Sequence, residues 1–214
     1  MASTGGVIVW YIRHGENPAN LTGELSCRHV DYPLTGRGIA QAEELAGNLA
    51  RADGPAPAAL YASPLRRANQ TARIIGDRLG LPVATLDGLR ELDVGDLEGR
   101  RDEEAWRAFL DVAYGWLAGD HDRAYPGGED FRQALARVRA ALRRVLENPP
   151  GSQVLVVGHD GLIRVALPAL APGTPFPARS LPKCGVARLA VRPAPGPEGI
   201  ACTLLDWPAP DAGA

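Results

Sequence analysis

The sequence predicts an α/β protein: a three-layer α/β/α sandwich around a mostly parallel central sheet with an antiparallel edge strand. Residues 7–12 and 154–157 are apolar throughout, which is typical of strands that are covered on both faces. Segments with apolar side chains at helical spacing separate these runs, so strands and helices alternate along the chain. A chain of 214 residues can bury one large core, and we expect a single domain over residues 1–214.

The first strand, residues 7–12, is followed by a loop that we expect to extend from about residue 17 to residue 35. Thr35 can cap a helix, because its hydroxyl can accept a hydrogen bond from the first turn. Apolar residues three and four positions apart predict the buried face of this helix: Ile39, Ala42, Leu45, Ala46 and Leu49.

A second strand is predicted at residues 58–62 and a short third strand at residues 83–86. Between them, Ser63 precedes Pro64, which indicates a capped helix with proline at its first position. Many glycines then punctuate the chain, and only one helix, at about residues 103–117, is expected before residue 128. We interpret about residues 93–128 as a cap-like insertion that covers a site.

The last third of the chain returns to regular elements. An amphipathic helix is predicted at residues 131–146 and a buried strand at residues 154–157, with another helix from about Leu162. Two strands, at residues 186–191 and 201–205, are expected to pair antiparallel at an edge of the sheet. That edge could pair with a second copy of the chain, which would give a homodimer.

Composition excludes several classes of function. A formal net charge of -2 gives no general attraction to nucleic acid or to an anionic membrane, so we expect neither as a partner. The three cysteines, Cys27, Cys184 and Cys202, are far apart and odd in number, which favours a reducing compartment. With no signal-peptide pattern and no long apolar run, the sequence predicts a soluble, cytoplasmic protein.

Two histidines occupy equivalent places in the predicted sheet. His14 and His159 each come just after a buried strand, and a glycine follows each within two residues. Because parallel strands open their carboxyl ends on one edge, where α/β sheets bind ligands, the two imidazoles are expected to face one cleft. A single histidine in such a place would more often be structural than catalytic, whereas two together favour a catalytic site.

Arginines supply the positive charge that an anion site would need. Arg13 adjoins His14, and Arg66 and Arg67 open the helix after the second strand. A guanidinium group matches phosphate oxygens two at a time, and a helix N-terminus adds free N–H groups. Neighbouring helix positions point about 100° apart, so one of the two, Arg66 or Arg67, is expected to face solvent. Glu91, between apolar residues, would have a raised pKa if it were partly buried.

The motifs that carry these residues resemble those of the histidine phosphatase superfamily, in its phosphoglycerate mutase-like branch. The segment Arg13-His14-Gly15-Glu16 with Asn20 is similar to the family's opening motif. The other blocks that resemble the family follow in family order and span roughly residues 7–191: residues 31–42, 63–72, 90–99, 126–129 and 157–164. The resemblance selects Arg67, rather than Arg66, as the phosphate ligand.

The resemblance also implies a role for each site residue. His14 would attack phosphorus, and Glu91 would protonate the leaving oxygen and then activate water. Arg13, Arg67 and His159 would hold the equatorial oxygens, with help from Asn20 and a backbone N–H near Gly161. It implies no metal and no cofactor, since arginine and histidine would supply the positive charge that a metal supplies in kinases.

Three functions follow from this resemblance, and the first is preferred. It is a phosphatase that hydrolyses a small phosphomonoester through a phosphohistidine. The second is a cofactor-dependent phosphoglycerate mutase, which returns the phosphoryl group to the substrate; the family's mutases carry longer closing segments than this compact chain. The third is a non-catalytic phosphate-binding module.

The sequence does not identify the substrate. Residues expected to affect specificity are Arg28, His29, residues 106–121 and Glu129. Leu97 and the pair Lys183-Cys184 depart from the pattern of the family, which often has tryptophan at the first position and asparagine with a small residue at the second.

Overall fold

A computed structural model describes residues 5–174, 177, 179–196 and 199–208. The strands are β1 (Val7–Arg13), β2 (Ala59–Ala62), β3 (Val83–Thr85), β4 (Gln153–Gly158), β5 (Val186–Pro193) and β6 (Ile200–Asp206). The helices are α1 (Pro18–Thr22), α2 (Gly36–Arg51), α3 (Arg66–Leu79), α4 (Glu103–Leu117), α5 (Phe131–Val145) and α6 (Asp160–Leu170).

The strands form one sheet in the order β3-β2-β4-β1-β5-β6, which confirms the predicted α/β class. The β3–β2, β2–β4 and β4–β1 pairs are parallel, and the β1–β5 and β5–β6 pairs are antiparallel. The antiparallel strand β5 therefore lies one place inside the edge, and β6 forms the edge itself. None of the helices in the described residues is long and apolar enough to cross a membrane.

A hydrophobic core covers each face of the sheet. Val9 and Tyr11 of β1 join the larger core, which contains buried side chains of α4, α5 and α6. Ile12, on the opposite face of β1, packs in a smaller core with buried side chains of α2 and α3. Burial on both faces explains why β1 contains no charged residue before Arg13, where it ends.

Three local predictions were wrong. The loop expected over residues 17–35 contains α1, whose N-cap Asn17 and third residue Asn20 form a capping box. Helix α3 begins at Arg66, not at Pro64, and the side chain of Ser63 does not cap it. Helix α6 begins at Asp160, two residues before the predicted start, so its first turn directly follows the strand that precedes it.

Close backbone contact fixes the loop after β1. A Cβ atom on Gly38, in the first turn of α2, would lie 2.1 Å from the carbonyl oxygen of Glu16. A Cβ atom on Gly15 would lie 2.5 Å from the carbonyl oxygen of Gly38. Only glycine at both positions lets α2 approach this closely, and the contact fixes the backbone next to His14.

We expect Gly38→Ala to lower the free energy of unfolding by about 1–3 kcal/mol, because the new methyl group overlaps backbone that cannot rotate away. Gly36→Ala is the matched control: it lies in the same turn, and nothing lies within 4 Å of its added Cβ. Chemical denaturation of both variants measures the difference. Equal stability of the two variants would contradict this explanation of the contact.

Candidate active site

His14 is buried at the carboxyl end of β1, with 4% of its surface exposed. Its Nδ1 lies 2.7 Å from the carbonyl oxygen of Gly15. Because a carbonyl oxygen can only accept, Nδ1 carries the proton and Nε2 keeps its lone pair. Burial, followed by the charges of Arg67 and Arg13, lowers the pKa of His14 well below its ordinary value. The imidazole is therefore neutral at pH 7, as a nucleophile must be.

Arg67 projects from the first turn of α3 into the interior and is 1% exposed, whereas Arg66 beside it is exposed. Its Nη2 donates to the carbonyl oxygen of Cys27 at 3.0 Å, and Nη1 lies 3.5 Å from a carboxylate oxygen of Asp31. Within the described residues, its Nε and Nη1 are buried without a hydrogen-bond partner. Such donors are costly to bury unless an anion satisfies them.

Arg13 adds a second cation at the end of β1. Its Nη1 donates to the carbonyl oxygen of Leu181 at 2.7 Å and lies 3.9 Å from a carboxylate oxygen of Asp160. Its Nε is buried without a hydrogen-bond partner among the described residues. Lys183, which departs from the family pattern, is also close enough to lower the pKa of His14. Burial and the charge of Arg13 lower the pKa of Lys183 to about 7.

His159 lies opposite His14, with 5.2 Å between the ring centroids. Its Nε2 is 2.8 Å from the hydroxyl oxygen of Ser63, which itself accepts the N–H of Leu65 at 3.3 Å. That arrangement favours donation from Ser63 to Nε2, which places the imidazole proton on Nδ1. Nδ1 is buried and has no hydrogen-bond partner in the described part of the chain. His159 is therefore the third residue of the site, after Arg13 and Arg67, with a buried donor that lacks a hydrogen-bond partner.

The backbone of His159 is held by the hydroxyl of Tyr11. This hydroxyl donates to the carbonyl oxygen of His159 and accepts from its N–H, each at 3.0 Å. A Cβ atom on Gly158 would lie 2.3 Å from the same hydroxyl oxygen, so the contact requires glycine there. Tyr11 thus connects β1 to the end of β4 and fixes the second histidine relative to the first.

Glu91 comes from the segment after β3 and reaches the N-terminus of α6. Its carboxylate accepts the N–H of Leu162 at 2.7 Å and of Gly161 at 3.2 Å. Burial raises the pKa of Glu91, while the N–H of Leu92 and the charge of Arg67 oppose the rise. The side chain is partly buried and lines the same cavity as His14.

The structure brings together most of the predicted site residues. A cavity of about 320 Å³ is lined by Arg13, His14, Asn20, Arg67, Glu91 and Gly161, and the ring centroid of His159 lies 5.2 Å from that of His14. Two contacts differ from expectation: the Gly161 N–H is already bonded to Glu91, and Oδ1 of Asn20 accepts the N–H of Asn17. These two residues reach the cavity, but both groups already have partners.

The expected specificity residues divide into two groups. Trp106, Phe109 and Leu110 of α4 line the cavity, as a covering insertion would. Arg28 and Glu129 face each other instead, with 3.6 Å between Nη2 and Oε2, and Glu129 forms a closer pair with Arg137 at 2.6 Å. Glu129 is therefore a buried structural acid that also accepts the N–H of Asp93, at 2.9 Å.

Sequence reasoning missed the partners of the histidines. The sequence pattern favours a helix cap at Ser63 and one more apolar position of a buried strand at Tyr11. Asp160, which accepts the N–H of Leu181 at 2.7 Å and lies near Arg13, received no role. A buried tyrosine must place its hydroxyl against a polar group, and this rule could have pointed to Tyr11. No comparable signal marked Ser63.

Across the described residues, no cluster of three or more His, Cys, Asp or Glu side chains could hold a metal ion. The charge available at this site comes from guanidinium groups and from the N-terminus of α6, which His159 precedes as the N-cap. These groups can bind a tetrahedral anion against a neutral imidazole.

Known proteins are similar to this chain in sequence and fold. Residues 9–194 match the family model of the histidine phosphatase superfamily (branch 1). A protein of Enterobacter sp. (strain 638) named "Probable phosphoglycerate mutase GpmB" is 35% identical over 87% of this chain and 86% of its own length. Two solved structures are also similar. A mycobacterial glucosyl-3-phosphoglycerate phosphatase is 27% identical, with 94% of this chain and 98% of that chain covered and a TM-score of 0.74. An alpha-ribazole phosphatase from Shigella flexneri is 29% identical, with 94% of this chain and 95% of that chain covered and a TM-score of 0.68. The chain therefore belongs to the histidine phosphatase superfamily.

Proposed function

We propose that this protein is a metal-independent phosphatase that hydrolyses a small phosphomonoester through a phosphohistidine at His14. The observation that carries the proposal is the set of buried, unsatisfied donors on Arg13, Arg67 and His159 around a neutral imidazole. A phosphoryl group would satisfy all of them at once. Its three equatorial oxygens gain charge in the transition state, where fixed donors stabilise it most.

The first step transfers the phosphoryl group to the protein. The lone pair of His14 Nε2 forms a bond to phosphorus as the bond to the ester oxygen breaks. The leaving oxygen takes the proton of Glu91, whose raised pKa favours the protonated form that this step needs. The Nδ1–H of His14 stays bonded to Gly15 and disperses the charge that the ring acquires.

The second step hydrolyses the phosphohistidine. Glu91, now a carboxylate, accepts a proton from water as the water oxygen bonds to phosphorus. The P–N bond breaks, its electrons return to Nε2, and inorganic phosphate leaves. Two displacements at phosphorus, in which Nε2 is first the nucleophile and then the leaving group, replace one difficult step by two easier ones.

A phosphoglycerate mutase is the second candidate, because the Enterobacter relative carries that name. In a mutase the phosphohistidine would return its phosphoryl group to a hydroxyl of the substrate instead of to water. A coupled assay that detects rapid interconversion of 2- and 3-phosphoglycerate without phosphate release would establish this activity and overturn our choice. A non-catalytic binding module, the third candidate, requires that His14→Ala leave function unchanged.

The phosphohistidine is the most direct test. Protein that is quenched in alkali after mixing with a ³²P-labelled phosphomonoester should carry label that acid removes, and His14→Ala should carry none. Turnover should continue in excess EDTA, since arginines and histidine supply the positive charge. Label on His14→Ala, or loss of turnover with EDTA, would contradict the mechanism. A thermal melt checks that the variant is folded.

We expect Arg67→Lys to lower kcat/KM about 10²–10³-fold, because one ammonium group cannot replace two aimed guanidinium donors. The exposed neighbour provides a control: Arg66→Ala should change kcat/KM less than about threefold. Inorganic phosphate should raise the Tm of the wild type and of Arg66→Ala, and raise it less for Arg67→Lys. An equal loss of kcat/KM in Arg67→Lys and Arg66→Ala would show that Arg67 does not bind the phosphoryl group.

Glu91→Gln should lower kcat/KM for alkyl phosphates about 10²–10³-fold, and much less for p-nitrophenyl phosphate, whose leaving group needs no proton. The acid must be protonated in the free enzyme, so wild-type kcat/KM for an alkyl phosphate should fall as pH rises above the raised pKa of Glu91. The variant should lack this alkaline decline. A variant equally impaired with both substrates would show that Glu91 is not the proton donor.

A further inference from the structure

The cavity has a second half that the proposed chemistry does not use. Beyond the phosphate-binding arginines, its wall is formed by the loop after α1 and by one side of α4. Glu24 and Ser26 come from that loop, and Trp106, Phe109 and Leu110 come from α4. This half must contact whatever is attached to the phosphoryl group.

Positive charge is scarce in the outer half. Among the described residues that line the cavity, Arg164 is the one cation besides Arg13 and Arg67. Its Nε and Nη2 both donate to the carbonyl oxygen of Pro177, at 3.1 and 3.0 Å, and its Nη1 lies 3.8 Å from Asp160. A carboxylate on the substrate would thus find a guanidinium that is already engaged.

Negative charge is present there instead. Glu24 is half-buried in the cavity wall, and its Oε2 accepts the hydroxyl of Tyr32 at 3.1 Å. A carboxylate has about four lone-pair sites, so Glu24 can still accept from substrate hydroxyls. The same charge repels a substrate carboxylate.

The α4 side is apolar and continues past the cavity. The indole N–H of Trp106 donates to the carbonyl oxygen of Gly23 at 2.7 Å, which fixes the ring next to the Glu24 loop. Phe109 and Leu110 also line an adjoining cleft between α4 and α6. Leu110 and Tyr114 are 41% and 57% exposed there, so apolar surface remains uncovered at the mouth of the site.

From this arrangement we infer that the substrate is the phosphate ester of an uncharged alcohol with an apolar or aromatic group, and that Glu24 and Trp106 select it over phosphorylated carboxylic acids. The alcohol's hydroxyls would lie at Glu24 and its ring against Trp106. This inference rests on the proposed phosphatase function, since it concerns the alcohol that leaves when the phosphoryl group is transferred. It assigns Glu24 and Trp106 to specificity and not to the chemical step.

The test compares kcat/KM for 2-phenylethyl phosphate, glycerol 3-phosphate and 3-phosphoglycerate. The wild type should hydrolyse the first at least tenfold more efficiently than the last. Glu24→Gln should raise activity on 3-phosphoglycerate relative to glycerol 3-phosphate about tenfold, and Trp106→Ala should lower activity on 2-phenylethyl phosphate relative to glycerol 3-phosphate by a similar factor. Glu103→Gln is the matched control: it removes the same charge from an exposed position on α4 and should leave each ratio within about twofold.

Each result of this comparison either supports or overturns the inference on specificity. A wild type that prefers 3-phosphoglycerate, or a Glu24→Gln ratio equal to that of Glu103→Gln, overturns the inference while phosphate release and labelled His14 still support the proposed function. If the protein hydrolyses none of the three esters and no p-nitrophenyl phosphate, and His14 carries no label, both the proposed function and this inference are overturned. Because the readout is a ratio within one protein sample, partial unfolding of a variant does not change it.

Discussion

The burial of one guanidinium group constrains the whole site. Arg67 is fully inside the protein, and its removal from water costs roughly several kcal/mol before any partner is counted. The Cys27 carbonyl and Asp31 offset part of this cost. Glu98 fixes the loop that carries Cys27 by accepting its N–H at 2.7 Å. Two of the donors of Arg67 have no hydrogen-bond partner in the described residues, and a bound anion would offset more of this cost.

The charge of Arg67 also acts on Glu91, the proposed proton donor, and so connects phosphate binding to proton transfer. Burial raises its pKa, and the nearby Arg67 opposes that rise. A phosphate dianion bound at Arg67 would neutralise the guanidinium and add a negative charge of its own. Both effects stabilise the protonated carboxyl group, so the bound substrate would help Glu91 to keep the proton that the leaving oxygen requires. Departure of phosphate would reverse both effects and lower the pKa of Glu91 again.

The sequence predicts what depends on strong local patterns. Buried runs placed β1 and β4, and with them His14 and His159, because strand ends in a parallel sheet share an edge. The 100° turn between helix neighbours predicted that Arg66 and Arg67 would differ in burial. The hydrogen bond of Ser63 to His159 could not be predicted, since it joins residues 96 positions apart and competes with an equally plausible cap. Long-range polar pairing depends on tertiary geometry that local propensity does not contain.

The distribution of charge in the cavity argues against treating the phosphoglycerate mutase relatives as a guide to the substrate. A phosphoglycerate mutase must bind the carboxylate of its substrate as well as the phosphoryl group, and guanidinium groups suit both. Here Arg13 and Arg67 surround the proposed phosphate site, while Arg164, the other cation of the described cavity lining, is bonded to Pro177 and lies near Asp160. Family membership is shown by the match over residues 9–194, whereas we propose that Glu24 and α4, which take no part in the proposed chemistry, select the substrate.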